Sequence, residues 1–201
     1  MNLVERVTDE ICRRLFLEVE ASGRHVHLTE EQAQTLFGHS LTNVRPLSQP
    51  GQYVCAERVT LVGPKGKLER VAVLGPARKE AQVEVSRTDC HTLGIDAPVR
   101  LSGHVEGTPG ITLMGDHGQV QLNQGVMVAQ RHIHMTPEDA ALHGLKNGDT
   151  VSLKCLSSRP VILEGVSVRV SPQFATFAHI DLDEANGCGH KKGDLGMIVH
   201  G

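Results

Sequence analysis

Leu3, Val7, Ile11 and Leu15 recur at i, i+4, i+8 and i+12, with Val4 and Cys12 beside them and charges on the other faces. That spacing predicts an amphipathic helix over residues 1–16, which either packs on the domain or serves as a partner-binding tail. From Leu17 to Ala21 apolar and acidic positions alternate instead, which is the period of a half-buried strand. Thr29 with Gln32 three residues later is a capping-box pattern, so a helix is expected over about 30–37, ending at Gly38. Thr136 followed by Pro137, with Gly144 as the stop, predicts a second such helix. The remainder is a succession of short apolar runs: Val59–Val62, Leu68–Leu74, Val83–Val85, Ile111–Leu113, Val126–Ala129, Val151–Leu153, Val161–Leu163 and Val166–Val170. Turn signals separate them at Gly63-Pro64-Lys65-Gly66, Pro109-Gly110, Asn147-Gly148-Asp149 and Gly187-Cys188-Gly189. Many short strands with few short helices predict a mainly β chain built as two tandem small β-barrel domains. The glycine-rich segment 102–110 marks the expected seam, giving halves of 17–105 and 106–201 behind the N-terminal helix.

Composition narrows the class. The 201-residue chain is 39% hydrophobic but only 2% aromatic, with no Trp, so its core rests on Val, Leu, Ile and Ala. A net charge of -3 supplies no basic field for nucleic acid or an anionic membrane. No run of 18 apolar residues predicts a membrane span, and the N-terminus is too charged for a secretory signal. Cys12, Cys55, Cys90, Cys155 and Cys188 are scattered, odd in number and never Cys-x-x-Cys, which suits a reducing compartment and isolated thiols. Walker A, Gly-x-Ser-x-Gly and Gly-x-Gly-x-x-Gly contexts are missing.

The strongest chemical signal is a repeat. Arg24-His25-Val26-His27-Leu28-Thr29 and Arg131-His132-Ile133-His134-Met135-Thr136 follow one pattern. Downstream, VTLVGPKGKLERVAVLGP aligns with VSLKCLSSRPVILEGVSVRVSP, and QVEVSRTDCHTLG with FAHIDLDEANGCG, which sets Glu84 opposite His179. On a strand, residues i and i+2 share a face, so each His-x-His aims two imidazoles at one point. A third ligand from a later strand leaves a coordination position open, the pattern of a catalytic zinc. The repeat therefore predicts one metal at His25, His27 and Glu84 and another at His132, His134 and His179. Zinc is preferred, although cobalt, iron or manganese would also accept these donors. Arg78, six residues before Glu84, offers a guanidinium suited to phosphate or carboxylate, but alone reads as a surface arginine. Lys65 reads as a solvated turn lysine. The other seven histidines (His39, His91, His104, His117, His143, His190 and His200) have no such pairing and are expected on the surface or in loops.

From about Leu17 to Ile198 the chain resembles the microcompartment-type phosphotransacylases, the family typified by phosphate propanoyltransferase (PduL-type). SGRHVHL, QPGQY, TLVGPKG, GPARKEAQVEVSRTD, TLGI, VAQRHIHM, VRVSP and HIDLDEAN carry the resemblance, in that order. It implies interconversion of short-chain (propanoyl or acetyl) acyl-CoA plus phosphate with acyl phosphate plus CoA. It also implies two divalent metal ions, normally zinc, held between two β-barrel domains by the same six ligands. Arg78 matches the family's phosphate-binding arginine. Ala21, Ser22 and Gly23, Lys65, and Asn186 match its coenzyme A contacts. A direct transfer from CoA to phosphate would follow without an acyl-enzyme; were one formed, Cys90 and Cys188 are the thiols nearest the expected ligand strands. The resemblance further implies a bacterial cytoplasmic enzyme inside a microcompartment, with residues 1–16 binding shell proteins. Self-association into a homo-oligomer is left open. Two other classes fit the residues: a metal-dependent thioester hydrolase, and a non-catalytic tandem-barrel module that binds metal or nucleotide.

Overall fold

The computed structural model describes residues 2–199. Helix α1 (Leu3–Leu15), strands β1 (Leu17–Ser22) and β2 (His25–His27) and helix α2 (Glu30–Phe37) come first. Strands β3 (Asn43–Pro46), β4 (Tyr53–Val62), β5 (Lys67–Gly75) and β6 (Gln82–Val85) lead to helix α3 (Arg87–Leu93). Then come β7 (Val99–Arg100), β8 (Ile111–Met114), β9 (Gln119–Leu122), β10 (Val126–Ala129), β11 (His132–Met135) and helix α4 (Pro137–Leu142). The chain continues through β12 (Thr150–Leu156), β13 (Val161–Val170), β14 (Phe177–Asp181), helix α5 (Leu182–Cys188) and β15 (Leu195–Val199). The mainly β class and the short helices agree with the expectation. The two apolar runs at 161–163 and 166–170 are one strand, β13, with Gly165 at φ +68° inside it.

The chain divides into two compact units: residues 1–22 with 130–201, and residues 23–129. In the first unit, strands β1-β14-β11-β13-β12-β15 close a barrel around Leu17, Val19, Ile133, Met135, Leu153, Val166, Val168 and Ile180. In the second, nine strands form a curled open sheet, ordered β7-β10-β6-β2-β5-β4-β8-β9 with β3 against β4. Val26, Leu28, Leu61, Val73, Val83 and Leu113 fill its core.

The boundaries fall at 22/23 and 129/130 rather than in segment 102–110, and strand pairing explains why. β2 pairs in parallel with β5 and antiparallel with β6; β11 does the same with β13 and β14. In this duplicated plan, β1 precedes the first His-x-His and β10 the second. Yet β1 pairs in parallel with β14 of the later half, and β10 with β6 of the earlier half. The two copies have exchanged their first strands, so compact units and sequence repeats differ in their ends.

Four strands end in one device. β2 runs into N-cap Thr29, β6 into Ser86, β11 into Thr136 and β14 into Asp181. Each cap side chain accepts from the N3 backbone N–H, and a glycine with positive φ follows each helix (Gly38, Gly94, Gly144, Gly189). Hydrophobic periodicity does not predict α3 and α5, because seven residues make barely two turns. Their signals are Ser86 with Asp89 and Asp181 with Glu184, both complete capping boxes. Gly187-Cys188-Gly189, expected as a turn signal, is the end of α5 and its C-cap.

The arginines preceding each histidine pair lock these helices to the ligand strands. Arg24 grips Asp89 with two hydrogen bonds, Nη2 to Oδ1 at 2.8 Å and Nε to Oδ2 at 3.0 Å. Arg131 contacts Glu184 through Nη1 and donates from Nε to the Glu164 carbonyl at 2.7 Å. Both acids are the N3 residues of capping boxes, so a single carboxylate serves helix start and strand placement together. Helix α1 differs in that none of its residues is buried; Arg13 meets Asp139 at 2.5 Å, and the Arg13 carbonyl lies 3.2 Å from His143 Nε2. Arg24→Ala should lower unfolding stability by about 1–3 kcal/mol, because Asp89 is buried and loses its two strongest donors. Urea denaturation of the two proteins measures this.

Candidate metal centres

The antiparallel pairing of β2 with β6 sets His25 directly opposite Glu84 and His27 opposite Gln82. Same-face projection then brings His25, His27 and Glu84 together, with ligand atoms all within 4.8 Å of one another and all three residues buried. His25 Nε2 lies 3.5 Å from Glu84 Oε2, and the two imidazoles meet edge-on at 5.0 Å between centroids. In the other unit, β11 and β14 set His132 opposite His179. His132, His134 and His179 likewise converge within 4.8 Å, their ring centroids 4.6–5.0 Å apart. Both predicted triads are thus assembled.

The donor sets fit divalent metals. His25 Nδ1 lies 2.8 Å from the Gly23 carbonyl, and His132 Nδ1 2.8 Å from the Gln130 carbonyl. Each carbonyl holds the N–H on Nδ1 and turns Nε2 toward the triad, the usual orientation of a ligating histidine. Burial opposes charge on His25, but the Glu84 carboxylate outweighs it and raises the pKa above the ordinary imidazole value. His27 lies well below that value, chiefly through burial and then through the charges of His25 and Arg78. His27 is therefore neutral at pH 7, the form a metal requires.

The two centres differ beyond their third ligand. Glu84 is flanked by Met127 of β10 on one side and His25 on the other. His179 is flanked by Glu20 of β1, whose Oε2 stands 3.7 Å from His179 Nδ1. The exchanged strands thus bring a thioether to one centre and a carboxylate to the other. Phe174 packs on His134 at 4.2 Å between ring centroids, and the Arg169 guanidinium lies 5.7 Å from the Phe174 ring.

Arg78 belongs to the first centre. Beyond the cis Gly75–Pro76 bond its backbone N–H donates to Leu28 O at 2.8 Å, and Nη1 donates to Ser102 Oγ at 3.2 Å. Its charge is felt by both His25 and His27. Ser102, Gly103 and Gln82 form a hydrogen-bonded cluster beside Glu84, so the segment expected to be a seam folds back onto this centre. Sequence reading missed these residues. The two-residue step from Gln82 to Glu84 is a signal for Gln82; none exists for Ser102.

Residues matched to coenzyme A contacts fall in both units. Ala21 and Ser22 end β1 opposite Ile180 and Asp181, beside the start of α5, which carries Asn186. Gly23 begins the other unit and supplies the carbonyl that orients His25. Lys65, in the turn between β4 and β5, donates its backbone N–H to the Leu93 carbonyl at the end of α3. That close approach requires Gly63, where a Cβ would stand 2.3 Å from the Leu93 carbonyl oxygen. Lys65, Arg87, Cys90, His91, Gly94, Ile95 and Asp96 line an open cavity of about 370 Å³.

The two thiols nearest the ligand strands are poorly suited to nucleophilic attack. Cys90 and Cys188 are buried, and burial pushes the Cys90 thiol above its usual pKa. Cys155, packed against Cys188, is pushed up to about 12. Among the other histidines, His39, His91, His104 and His117 are exposed and His143 and His190 half-buried; His200 lies outside the described residues. No helix among the described residues is long and apolar enough to cross a membrane.

A family model described as phosphate propanoyltransferase matches residues 18–191. A phosphate propanoyltransferase from Enterococcus faecalis is 51% identical over 99% of this chain and 98% of its own length. One from Listeria monocytogenes is 53% identical, covering 98% of this chain and 94% of its own. Another, from Salmonella typhimurium, is 47% identical over 92% and 89%. Those matches run through both triads and Arg78, and the chain belongs to the phosphate propanoyltransferase family.

Proposed function

We propose that the chain interconverts a short-chain acyl-CoA (propanoyl or acetyl) and phosphate with the acyl phosphate and CoA, using two divalent metal ions, zinc by preference. The observation that carries the metal reading is the pair of cross-strand triads with ligand atoms within 4.8 Å, the first buried throughout and the second buried at His134. Family membership supports the acyl transfer to phosphate. His25, His27 and Glu84 would hold one ion, and His132, His134 and His179 the other. Bound there, the ions supply Lewis-acid polarisation of the thioester carbonyl and neutralise phosphate charge.

The chain's own residues do the rest. Arg78, fixed at its backbone by Leu28 and at its side chain by Ser102, holds the phosphate dianion and directs one oxygen toward the acyl carbon. The C–O bond forms as the C–S bond breaks, and the electron pair leaves with sulfur as the CoA thiolate. Buried thiols with raised pKa values favour this direct transfer over an acyl-cysteine. Holding the two substrates in line supplies much of the rate, since oriented reactants gain on the order of 7–11 kcal/mol. Coenzyme A contacts are assigned to Ala21, Ser22, Gly23, Lys65 and Asn186.

Helix α1 is the surface for a further partner. Leu3 and Val4 are each 74% exposed, and Val7, Ile11 and Leu15 are exposed on the same side. An unburied apolar stripe on a helix suits a groove on another protein, and α1 binds microcompartment shell proteins and localises the enzyme inside the compartment.

Propanoyl-CoA should release CoA only when phosphate is present, with acyl phosphate as co-product. Phosphate-independent release would identify a hydrolase, and no release a binding module. Arg78→Ala should keep its metal while its KM for phosphate rises by roughly tenfold or more, a loss of about 1.4 kcal/mol or more. His179→Ala should lose about half of the bound metal, read by elemental analysis, together with turnover. Removing residues 1–16 should preserve turnover in solution and abolish encapsulation; loss of the folded barrel would show instead that α1 is a packing element.

A further inference from the structure

Glu84 has two carboxylate oxygens, and the structure treats them differently. Oε1 accepts a hydrogen bond from Gln82 Nε2 at 2.5 Å, whereas Oε2 faces His25 Nε2 at 3.5 Å. Gln82 is 2% exposed, two residues before Glu84 on β6 and on the same face. Its amide direction follows from its partners: the Gly103 N–H meets Gln82 Oε1 at 2.7 Å, which only an oxygen accepts, so the NH2 end must face Glu84. That NH2 also donates to Ser102 Oγ at 2.8 Å. The other unit offers an internal comparison. Phe177 occupies the position equivalent to Gln82, two residues before His179 and opposite His134. His179 presents one ring nitrogen to its triad, so no second donor atom needs to be held back. The amide stands only where the third ligand has two equivalent oxygens.

We infer that Gln82 is a positioning residue that occupies Oε1 of Glu84 and leaves Oε2 as its single ligand atom, keeping a coordination position open for substrate. This rests on the metal reading above. The test uses full-length protein loaded with cobalt(II), whose visible absorption weakens as coordination number rises. Gln82→Met keeps the side-chain volume and removes the donor. It should retain the cobalt content of the parent, weaken the visible band, and lower kcat by about tenfold or more. Ser102→Ala breaks the other hydrogen bond of the Gln82 NH2 group and should leave the band as in the parent. An unchanged Gln82→Met spectrum, or an equal change in Ser102→Ala, would overturn the role of Gln82. A parent protein that takes up no cobalt would remove the metal reading itself. If Gln82→Met does not fold, Gln82→Asn, whose amide stops short of Glu84, is read in the same way.

Discussion

Side chains directly opposite one another on paired strands project to the same face, and both triads depend on that constraint. His25 with Glu84 and His132 with His179 are such pairs, and the i+2 histidine of each strand completes the set. A slip of one residue in either pairing would turn a ligand to the opposite face. Register is therefore what these centres must protect. The final ligand of every contributing strand lies two residues before an N-cap: His27 before Thr29, Glu84 before Ser86, His134 before Thr136, His179 before Asp181. A helix start pins each strand end, and the Arg24–Asp89 and Arg131–Glu184 pairs tie strand to helix across the ladder.

Exchange of the first strands gives the duplication its chemical asymmetry. Had each copy kept its own leading strand, Glu20 would neighbour Glu84 and Met127 would neighbour His179. As folded, the ligand carboxylate has a thioether beside it and the ligand imidazole has a carboxylate. Two carboxylates side by side would repel and raise one another's pKa. The exchange keeps them apart and leaves one acid near each triad. Arg78 stands beside the carboxylate-bearing centre, where its charge bears on His25 and His27.

Much of the site was legible because the chemistry is periodic. A strand's two-residue repeat is visible in His-x-His, and the internal alignment identified Glu84 and His179 without knowledge of the fold. Thr29 with Gln32, and Thr136 with Pro137, announced two helices through local hydrogen bonding that needs no tertiary context. Arg24 and Arg131 appeared in both copies but without a visible purpose, since their partners lie 65 and 53 residues away. Lys65 read as a solvated turn lysine and is exposed in that turn; only the docking of its backbone on Leu93, a long-range contact, left no trace in the sequence.

By itself, then, the sequence determined the mainly β class, the duplication, the six residues of the two triads and the helices capped by Thr29 and Thr136, all of which follow from patterns within a few residues or between aligned copies. Tertiary structure alone decided which copy's first strand enters which sheet, and hence that the units end at 22/23 and 129/130. It also decided that one sheet closes while the other stays open, and that segment 102–110 reaches the first centre instead of separating two halves. The reason is physical: a parallel pairing such as β1 with β14 is a backbone hydrogen-bond ladder between distant segments, and its side chains fit either sheet equally well by pattern.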